Sequence, residues 1–333
     1  MTESKADITV IICTVNRAES LRQTIACLAR ANKKGLRCEL VIVDNGGKDH
    51  TAAVAGTPVP DLPIRYLREP QAGKSHALNR ALDAGQLGAI VAVLDDDMSP
   101  DRGWFQGVKA ICDRWPDKDL FSGRSFIIWP ETEIPDWCRH SSLRGWAYSV
   151  MEGTEEAELA DGRWFSGNHF WFRSRVLRDG RRFETGNNDR EIQIYLSEPQ
   201  FMLKLAAEGR GGVRAADAVC GHRVQPALLD LAVLQERSRL TGRGFAVARL
   251  LPYKATVKQA RLFRNHPVLS RLFCHASVLG WTTARACLWL HPVRTQRIAL
   301  QLQAIQRHAT YREYLKIARQ TGEYPVFPSR GNT

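Results

Sequence analysis

The sequence predicts an α/β fold, in which a mostly parallel central sheet is flanked by helices and followed by a basic helical C-terminal region. Two patterns lead to this prediction. In the N-terminal third, apolar runs of strand length alternate with helical segments, as in parallel sheets that are covered on both faces. Beyond residue 225 the strand signals stop, and helical spacing is combined with many Arg and Lys residues.

Strands are predicted where apolar runs occur, and helices where apolar residues recur at helical spacing. In chain order, the predicted elements of the N-terminal third are strand 7–13, helix 18–31, strand 39–44, strand 63–67, helix 73–85 and strand 89–97. A further helix is expected to begin near Pro100, because Asp and Ser are good N-caps. This alternation of strand and helix predicts a Rossmann-like sheet.

The second half of the chain is less regular. From about residue 117 it has the pattern of strands and loops, and residues 161–180 predict a strand, a turn and a helix. Residues 197–209 predict a helix that ends at Gly209. The chain is then expected to become helical, with a domain boundary between 225 and 250.

Polar residues follow three of the predicted strands at the point where each strand ends. Thr14 and Asn16 follow the first strand, Asp44 and Asn45 the second, and Asp95–Asp97 the fourth. In open parallel sheets, ligands bind at the carboxyl ends of the strands. We therefore expect these side chains to converge on one crevice.

The three consecutive carboxylates Asp95, Asp96 and Asp97 raise one another's proton affinity unless a cation neutralises them. Mg²⁺ or Mn²⁺ would do so, since such a cation binds one or two carboxylates together with substrate phosphate oxygens. The alternative is an acidic surface turn that caps the next helix. If the strand stays extended, Asp95 and Asp97 point to one side and Asp96 to the other. The sequence offers neither a P-loop nor a G-x-G-x-x-G motif after the first strand.

Seven segments of the chain form an ordered series of motifs. They are VIICTVNRAESLRQTIACL, ELVIVDNGGKDHT, QAGKSHALNRAL, AVLDDDMSPDRGW, FSGNHFWFRSRVL, SEPQFMLKLAAEG and CGHRV. This series resembles the family 2 inverting glycosyltransferases, which have the GT-A fold, and it covers about residues 7–240. Such a series is more specific than any one motif. The resemblance implies a bacterial-type enzyme of glycan or polysaccharide biosynthesis, a hexosyltransferase that uses a nucleotide-sugar donor.

The resemblance also implies a donor site. The residues that would bind the nucleotide sugar are Thr14, Asn16, Arg17, Asp44, Asn45, Lys74, Asn79, Asp95 and Asp96. Among them, Asp44 would read the uracil edge with Asn45 beside it, and Asp95 would meet the ribose. Lys74 and Asn79 would lie near the diphosphate. A UDP-linked donor is therefore expected.

Metal ligation is implied for two residues. Asp97 is the last residue of the D-x-D pattern, and His222 matches the late histidine of the family. Mn²⁺ or Mg²⁺ bound there would neutralise the donor diphosphate. The alternative for His222 is a surface or core histidine without a ligand.

The general base is less clearly marked. An inverting transfer needs a carboxylate that deprotonates the acceptor hydroxyl. The family supplies it from a Glu-Asp pair at the start of a helix, where this chain has Ser197 and Glu198. Glu198 is therefore the candidate base, with Asp189 and Glu191 as alternatives. A role for Glu198 only at the positive end of its helix also stays open.

The segment around FSGNHFWF would lie under the donor sugar and the acceptor. Gly167 and Asn168 form its turn, and the Asn168 amide can hydrogen-bond sugar hydroxyls. Trp164 could stack on a sugar ring, although aromatic residues at this spacing are more often part of the core.

The cysteines and the first residues predict a cytoplasmic protein. The eight cysteines include no C-x-x-C pair, which argues against a zinc ribbon and a disulfide scaffold. The N-terminus is acidic and lacks the apolar region of a secretory signal. A peripheral position on the inner face of the cytoplasmic membrane is a further expectation.

That expectation comes from the C-terminal charge. Residues 255–320 contain eleven Lys or Arg residues against one acid, Glu313, and so hold +10 of the net charge of +12. The uncharged stretch 272–284 is shorter than the roughly 20 residues that span a bilayer. Interfacial helices on an anionic membrane surface are therefore predicted, with helices packed on the catalytic domain as the alternative. Nucleic acid is not expected as a partner, because no zinc finger, helix-turn-helix or RNP signature is present.

Together these features predict a catalytic domain at 1–240, with a nucleotide-binding half (1–115) and an acceptor-binding half (116–240), and a basic region at 241–333. The predicted function is metal-dependent, inverting transfer of a sugar from a UDP-sugar to a hydroxyl of a glycan or lipid-linked glycan. The alternatives are a sugar-phosphate nucleotidyltransferase and a non-catalytic module that binds sugar nucleotides or membranes.

Overall fold

The computed structural model describes residues 6–159, 165–185, 197–250, 267–288 and 293–321. Its nine described strands form one sheet in the order β3-β2-β1-β4-β8-β6-β9-β5, with β7 paired to β9. The strands are β1 Ile8–Thr14, β2 Cys38–Asp44, β3 Ile64–Arg68, β4 Ile90–Leu94, β5 Met98–Pro100, β6 Leu120–Ile128, β7 Ala157–Glu158, β8 His169–Arg173 and β9 Gly212–Arg223.

Helices flank this sheet and continue beyond it. The described α-helices are α1 Ala18–Arg30, α2 Thr51–Ala55, α3 Lys74–Asp83, α4 Trp104–Arg114, α5 Ser197–Ala207, α6 Leu231–Leu250, α7 Pro267–Cys287 and α8 Arg294–Thr321. Short 3₁₀ helices lie at Asp136–Arg139, Ser141–Leu143, Ser174–Leu177 and Pro226–Leu229. The predicted α/β class and the helical C-terminal region are confirmed.

The parallel part of the sheet has the Rossmann-like order β3-β2-β1-β4. Strand β8 then pairs antiparallel to β4, whereas β6 and β9 pair in parallel over the longest ladder of the sheet. The register places Thr14 opposite Asp44, so that the ends of β1 and β2 lie at the same edge. The residues that follow β4 reach that edge as well.

The core lies on both faces of the sheet. On one face, Leu21, Ile25 and Leu28 of α1 pack against the even-numbered residues of β1. On the other face, Leu78 of α3 packs with Ile11. Because both faces are covered, the parallel strands are continuous apolar runs, which is why the sequence predicted them well.

The region after β4 differs from the prediction. The strand ends at Leu94, and Asp95 to Asp97 form a turn that closes with a hydrogen bond from Met98 N to Asp95 O at 3.2 Å. The segment Met98–Pro100 is an edge strand paired with β9, and the helix expected near Pro100 begins only at Trp104. Proline lacks the N–H that a central strand needs, and an edge strand tolerates it.

The prediction for residues 161–180 is met in part. The strand covers His169–Arg173, and a 3₁₀ helix at Ser174–Leu177 takes the place of the expected α-helix. Residues 161–164 lie outside the described part. None of the eight cysteines, all of which are described, is in a disulfide.

The described residues fall into two compact units. The first comprises those of 1–130, 148–186 and 197–224, and the second those of 131–147 and 225–333. In the second unit, α6 and α8 pack so closely that a Cβ on Gly242 would overlap Gln306 O. A salt bridge of 2.9 Å between Arg243 and Glu313 also joins these helices. The boundary predicted after residue 240 falls within α6 and stays a prediction.

Candidate active site

The carboxyl ends of β1, β2 and β4 converge as expected. Thr14 lies beside Asp44 in the sheet, and its Oγ1 donates a hydrogen bond of 2.6 Å to Asp96 Oδ2. In the loop after β1, the side chain of Asn16 accepts a hydrogen bond from the backbone N–H of Lys48 at 2.7 Å, which joins this loop to the one after β2. The three strand ends therefore form one polar crevice.

Arg17 divides the three aspartates in a way that the sequence did not predict. Its guanidinium group contacts Asp96 Oδ1 at 2.7 Å and Asp97 Oδ2 at 2.8 Å. Asp95 instead pairs with Lys74 Nζ at 2.6 Å. The expected alternation, with Asp95 and Asp97 on one side, is wrong, because these residues form a turn and not an extended strand.

Asp96 is a structural member of the crevice. Its side chain is buried, and its carbonyl accepts hydrogen bonds from Ser20, Thr24 and Arg223. Burial raises the pKa of its carboxyl to about 6, and the opposing effects of Arg17 and the Thr14 hydroxyl only partly offset that. Asp96 thus anchors the turn that presents its two neighbours.

We therefore expect Asp96→Ala to lower the free energy of unfolding by about 1 kcal/mol, because the buried Thr14 hydroxyl loses its acceptor whereas Arg17 keeps Asp97. Urea unfolding followed by circular dichroism measures this. The control is Asp113→Ala, which removes an exposed i,i+4 pair with Lys109 and should cost about 0.5 kcal/mol or less. Equal stability of the Asp96 variant and the control would contradict the anchoring role.

Asp97 and His222 face each other inside the crevice. The His222 Nδ1–H donates to Tyr148 O at 2.6 Å, which leaves Nε2 facing Asp97 Oδ1 at 3.5 Å. Asp97 Oδ1 is buried and makes no hydrogen bond to any of the described residues. Burial would raise the pKa of Asp97, but His222 and Arg17 outweigh it and hold the pKa at about 2. Asp97 is therefore a carboxylate at neutral pH.

This pair fits a small divalent cation. Two metal–ligand bonds of about 2.1 Å each can join atoms that lie 3.5 Å apart. Within the described residues, no group of three or more His, Cys, Asp or Glu side chains is arranged to hold a metal ion. A cation such as Mg²⁺ needs only one or two protein ligands when substrate phosphates supply others.

Lys74 joins Asp95 to Glu198. Its Nζ lies 2.6 Å from Asp95 Oδ1 and 2.5 Å from Glu198 Oε1, and it donates to Gly167 O at 3.3 Å. Burial would lower the pKa of Lys74, but the two carboxylates raise it above its ordinary value. The structure thus brings the candidate base next to the aspartate turn, as a donor-and-base site requires.

The position of Glu198 depends on its neighbours. It lies in the first turn of α5, is 4% exposed, and accepts a hydrogen bond from the Ser197 hydroxyl at 2.6 Å. A Cβ on Gly167 would come within 2.7 Å of Glu198 Oε1, so a residue with a side chain would displace the carboxylate. Gly167 therefore provides space as well as a carbonyl. The alternative bases Asp189 and Glu191 lie outside the described residues.

Asn168 has one polar atom to spare. Its side-chain Nδ2 donates to Ser149 O at 3.0 Å, and its backbone carbonyl accepts from Asp95 N at 3.0 Å. Within the described part of the chain, its buried Oδ1 has no hydrogen-bond partner. This acceptor suits a hydroxyl of a bound sugar. Trp164 lies outside the described residues.

Asp44 and Asn45 shape the loops around the crevice. The two oxygens of Asp44 accept from Gly47 N at 2.7 Å and from the Tyr66 hydroxyl at 2.8 Å. The Asn45 side chain bonds the backbone of the segment 69–73 three times. Asn45 therefore supports the loop that follows β3, and its place beside a nucleotide stays a prediction.

Asn79 does not join the aspartate cluster in the described contacts. Its Nδ2 donates to Phe183 O at 2.9 Å, and its Oδ1 accepts from Phe183 N at 2.8 Å. It lines a separate surface cavity of about 410 Å³ together with Arg181 and Lys204. The described contacts of Asn79 thus hold the backbone of Phe183, and its role at the diphosphate stays a prediction.

Sequence reasoning missed Arg223 as part of the site. This half-buried residue follows His222, and it donates hydrogen bonds to the carbonyls of Ser20, Asp96 and Met98. It therefore fixes the middle and the C-terminal end of the aspartate turn and ties them to α1. Its place beside His222 in the last motif was the one available signal.

Comparison with known proteins identifies a family and relatives of this chain. The chain matches the family described as Glycosyl transferase family 2 over residues 9–175. It is 26% identical to the chondroitin synthase of Escherichia coli over 296 residues, which are 77% of this chain and 41% of that protein. It is 31% identical to the glycosyltransferase AglE of Haloferax volcanii over 115 residues, which are 33% of this chain and 37% of that protein. The chain thus spans less than half the length of these relatives.

Two solved structures share the fold. One is a mannosyltransferase, PcManGT, from Pyrobaculum calidifontis in complex with GDP-Man and Mn²⁺, with a TM-score of 0.54 and 20% identity, covering 96% of this chain and 88% of that one. The other is S. aureus TarS, with a TM-score of 0.50 and 14% identity, covering 92% and 55%. At these identities the likeness concerns the fold, which is that of GT-A glycosyltransferases. With the family match over half of its length, the chain belongs to glycosyl transferase family 2.

Proposed function

We propose that this protein transfers a sugar from a nucleoside-diphosphate donor, UDP-linked, to a hydroxyl of a glycan or lipid-linked glycan acceptor, with inversion at the anomeric carbon. The observation that carries the proposal is the pair of salt bridges from Lys74 to Asp95 and to Glu198. Through them, the buried carboxylate of Glu198 is linked to the aspartate turn. The family match favours this function over nucleotidyl transfer. A non-catalytic module would not need the carboxylate there.

In the proposed reaction, the oxygen of the acceptor hydroxyl attacks the anomeric carbon while Glu198 accepts the proton of that hydroxyl. The bond from that carbon to the diphosphate oxygen breaks, and the diphosphate leaves with the electron pair. Lys74 is placed to stabilise the charge that develops on the leaving group. Asn168 Oδ1 would accept a hydrogen bond from a sugar hydroxyl and orient the ring.

Asp97 and His222 would hold the metal ion, Mn²⁺ or Mg²⁺. When bound, the cation would neutralise the diphosphate of the donor. The unsatisfied Asp97 Oδ1 that faces His222 Nε2 supports this assignment. The proposed nucleotide-binding half is 1–115, the acceptor-binding half 116–240, and the basic region 241–333.

A panel of nucleotide sugars tests the donor assignment. A ligand that binds only the native state raises stability by about 2.7 kcal/mol at a concentration of 100 times its dissociation constant. We expect UDP-sugars with Mn²⁺ to raise the unfolding temperature and GDP-mannose to have a smaller effect. A larger rise in unfolding temperature with GDP-mannose than with UDP-sugars would change the proposed base from uracil to guanine. An unfolding temperature that no nucleotide sugar changes would contradict the proposed function.

The acceptor side of the proposal includes an anionic membrane surface. On α7, Leu272 and Leu279 are 61% and 69% exposed, although both are apolar. The surrounding region 255–320 carries a net charge of +10. In the described part of the chain, the helices fall short of the length and apolarity that a membrane span requires. Exposed leucines can enter the boundary between headgroups and acyl chains, and the basic residues around them can meet anionic headgroups. A lipid-linked acceptor would be found at such a surface.

We expect the protein to float with vesicles rich in phosphatidylglycerol and not with phosphatidylcholine vesicles. Replacing both Leu272 and Leu279 by Glu should lower vesicle binding at least about tenfold, because each buried leucine contributes roughly 1.5–3 kcal/mol. Val233→Glu, at another exposed apolar position, is the control and should float like the wild type. Flotation of the double variant at the wild-type level would contradict membrane contact through α7.

A further inference from the structure

Lys74 has no hydrogen-bond donor to spare. An ammonium group carries three N–H donors. Lys74 Nζ has three acceptors within 3.3 Å, namely Asp95 Oδ1, Glu198 Oε1 and Gly167 O. To contact a diphosphate oxygen, the ammonium group must give up at least one of these partners.

Glu198 is the partner whose loss matters for catalysis. Its Oε1 is 2.5 Å from Lys74 Nζ, and its Oε2 accepts from Ser197. Gly167 lies against the same carboxylate. Oε1 therefore faces Lys74, and an acceptor hydroxyl can replace the ammonium group there only after that group moves.

Solvent exposure indicates from which side the exchange begins. The side chains of Lys74 and Asp95 are 25% and 30% exposed, whereas that of Glu198 is 5% exposed. An incoming diphosphate can thus reach the lysine from the crevice while the glutamate is still covered. A diphosphate also offers more negative charge than the single carboxylate with which it competes.

We propose that Lys74 holds Glu198 until a donor binds, and that the donor diphosphate releases the base by drawing the ammonium group away. This inference rests on the proposed function. Donor binding and release of the base then become one event, so Glu198 meets an acceptor hydroxyl only when a donor is present. Lys74 is a positioning residue for the base in addition to a contact of the donor.

We call this release of Glu198 by donor binding the gate. It predicts a change in UDP affinity that would not occur if Lys74 only contacted the donor. In this proposal Lys74 leaves Glu198 when it binds the diphosphate, so Glu198 opposes nucleotide binding. Such coupling is reciprocal between the two partners of Lys74. Removing the charge of Glu198 should therefore tighten UDP binding, and it should do so only while Lys74 is present.

The experiment is a double-mutant cycle measured by calorimetric titration of UDP with Mn²⁺. Glu198→Gln should lower the dissociation constant of UDP at least about fivefold, the lower range of typical coupling. In the Lys74→Met background, Glu198→Gln should leave the dissociation constant unchanged. Glu184→Gln is the matched control, since Glu184 pairs with Lys204 of α5, and it should bind UDP like the wild type.

A second variant covers the case in which Glu198→Gln does not fold. Glu198→Asp keeps the charge but draws it back from Lys74 by one methylene group, so it too should tighten UDP binding. General charge repulsion predicts no change for this variant.

Equal UDP binding by the wild type and the Glu198 variants would overturn the gate and leave sugar transfer untouched. Tightening that persists in the Lys74→Met background would also overturn it, since charge repulsion alone would then explain the effect. If neither UDP nor GDP binds the wild-type protein, the donor proposal and the gate both fail.

Discussion

Glu198→Gln is expected to reduce sugar transfer by about a thousandfold, within the range that a general base contributes. The amide has nearly the shape of the carboxylate, so Ser197 and Gly167 can still pack against it, but it cannot accept the acceptor proton. Nucleotide binding should persist. The rate of UDP release from the donor that the panel identifies, measured with a glycan acceptor mixture, checks the prediction.

Glu184→Gln serves as the control for this loss. It removes a carboxylate that pairs with Lys204 on the same helix as Glu198, and it should transfer at the wild-type rate. If Glu198→Gln transfers sugar at the wild-type rate, Glu198 is not the base, and Asp189 and Glu191 are the remaining candidates.

Asp97→Asn is expected to weaken Mn²⁺-dependent binding of UDP by about 100-fold or more. Loss of groups that only support metal ligands costs about 10- to 100-fold in metal affinity, and a direct ligand should cost at least as much. The asparagine can still meet Arg17, so the fold should be retained. Calorimetric titration of UDP in the presence of Mn²⁺ measures the effect.

The same titration in EDTA is the internal control for Asp97→Asn. Without metal, the wild type and the variant should bind UDP equally weakly, because the difference between them lies in the metal site. Equal affinity of the two proteins in Mn²⁺ would show that Asp97 is not a ligand.

The strands of the N-terminal third could be predicted because they are buried on both faces. β1 and β2 are uninterrupted apolar runs, and polar residues mark their ends. The rule that ligands gather at the carboxyl ends of parallel strands then selected Thr14 and the aspartates before any contact was known. The hydrogen bond between Thr14 and Asp96 confirms that these strand ends converge.

The direction of the aspartate side chains could not be predicted from alternation. The rule holds only as long as the ladder continues, and the last residue of β4 in the ladder is Leu94. Beyond it, Arg17 and Arg223 fold the chain into a turn through bonds to side chains and carbonyls. A residue 127 positions away leaves no local pattern for such a contact.

Partners that are distant in sequence also explain why the contacts of Asn79 and Lys74 could not be predicted. Asn79 bonds the backbone of Phe183, 104 residues later, and nothing in its own helix announces that contact. Lys74 was expected near the diphosphate, but its pairing with Glu198 connects two distant motifs. Motif resemblance assigns residues to a site one by one, whereas the fold decides which of them hold one another.

The most direct test of the donor site is the position of Mn²⁺ in crystals grown with UDP and Mn²⁺, located by anomalous scattering. The account predicts a manganese peak in contact with Asp97 Oδ1 and His222 Nε2, with UDP in the crevice at the ends of β1, β2 and β4. Manganese bound elsewhere, or UDP bound without manganese at this pair, would contradict it.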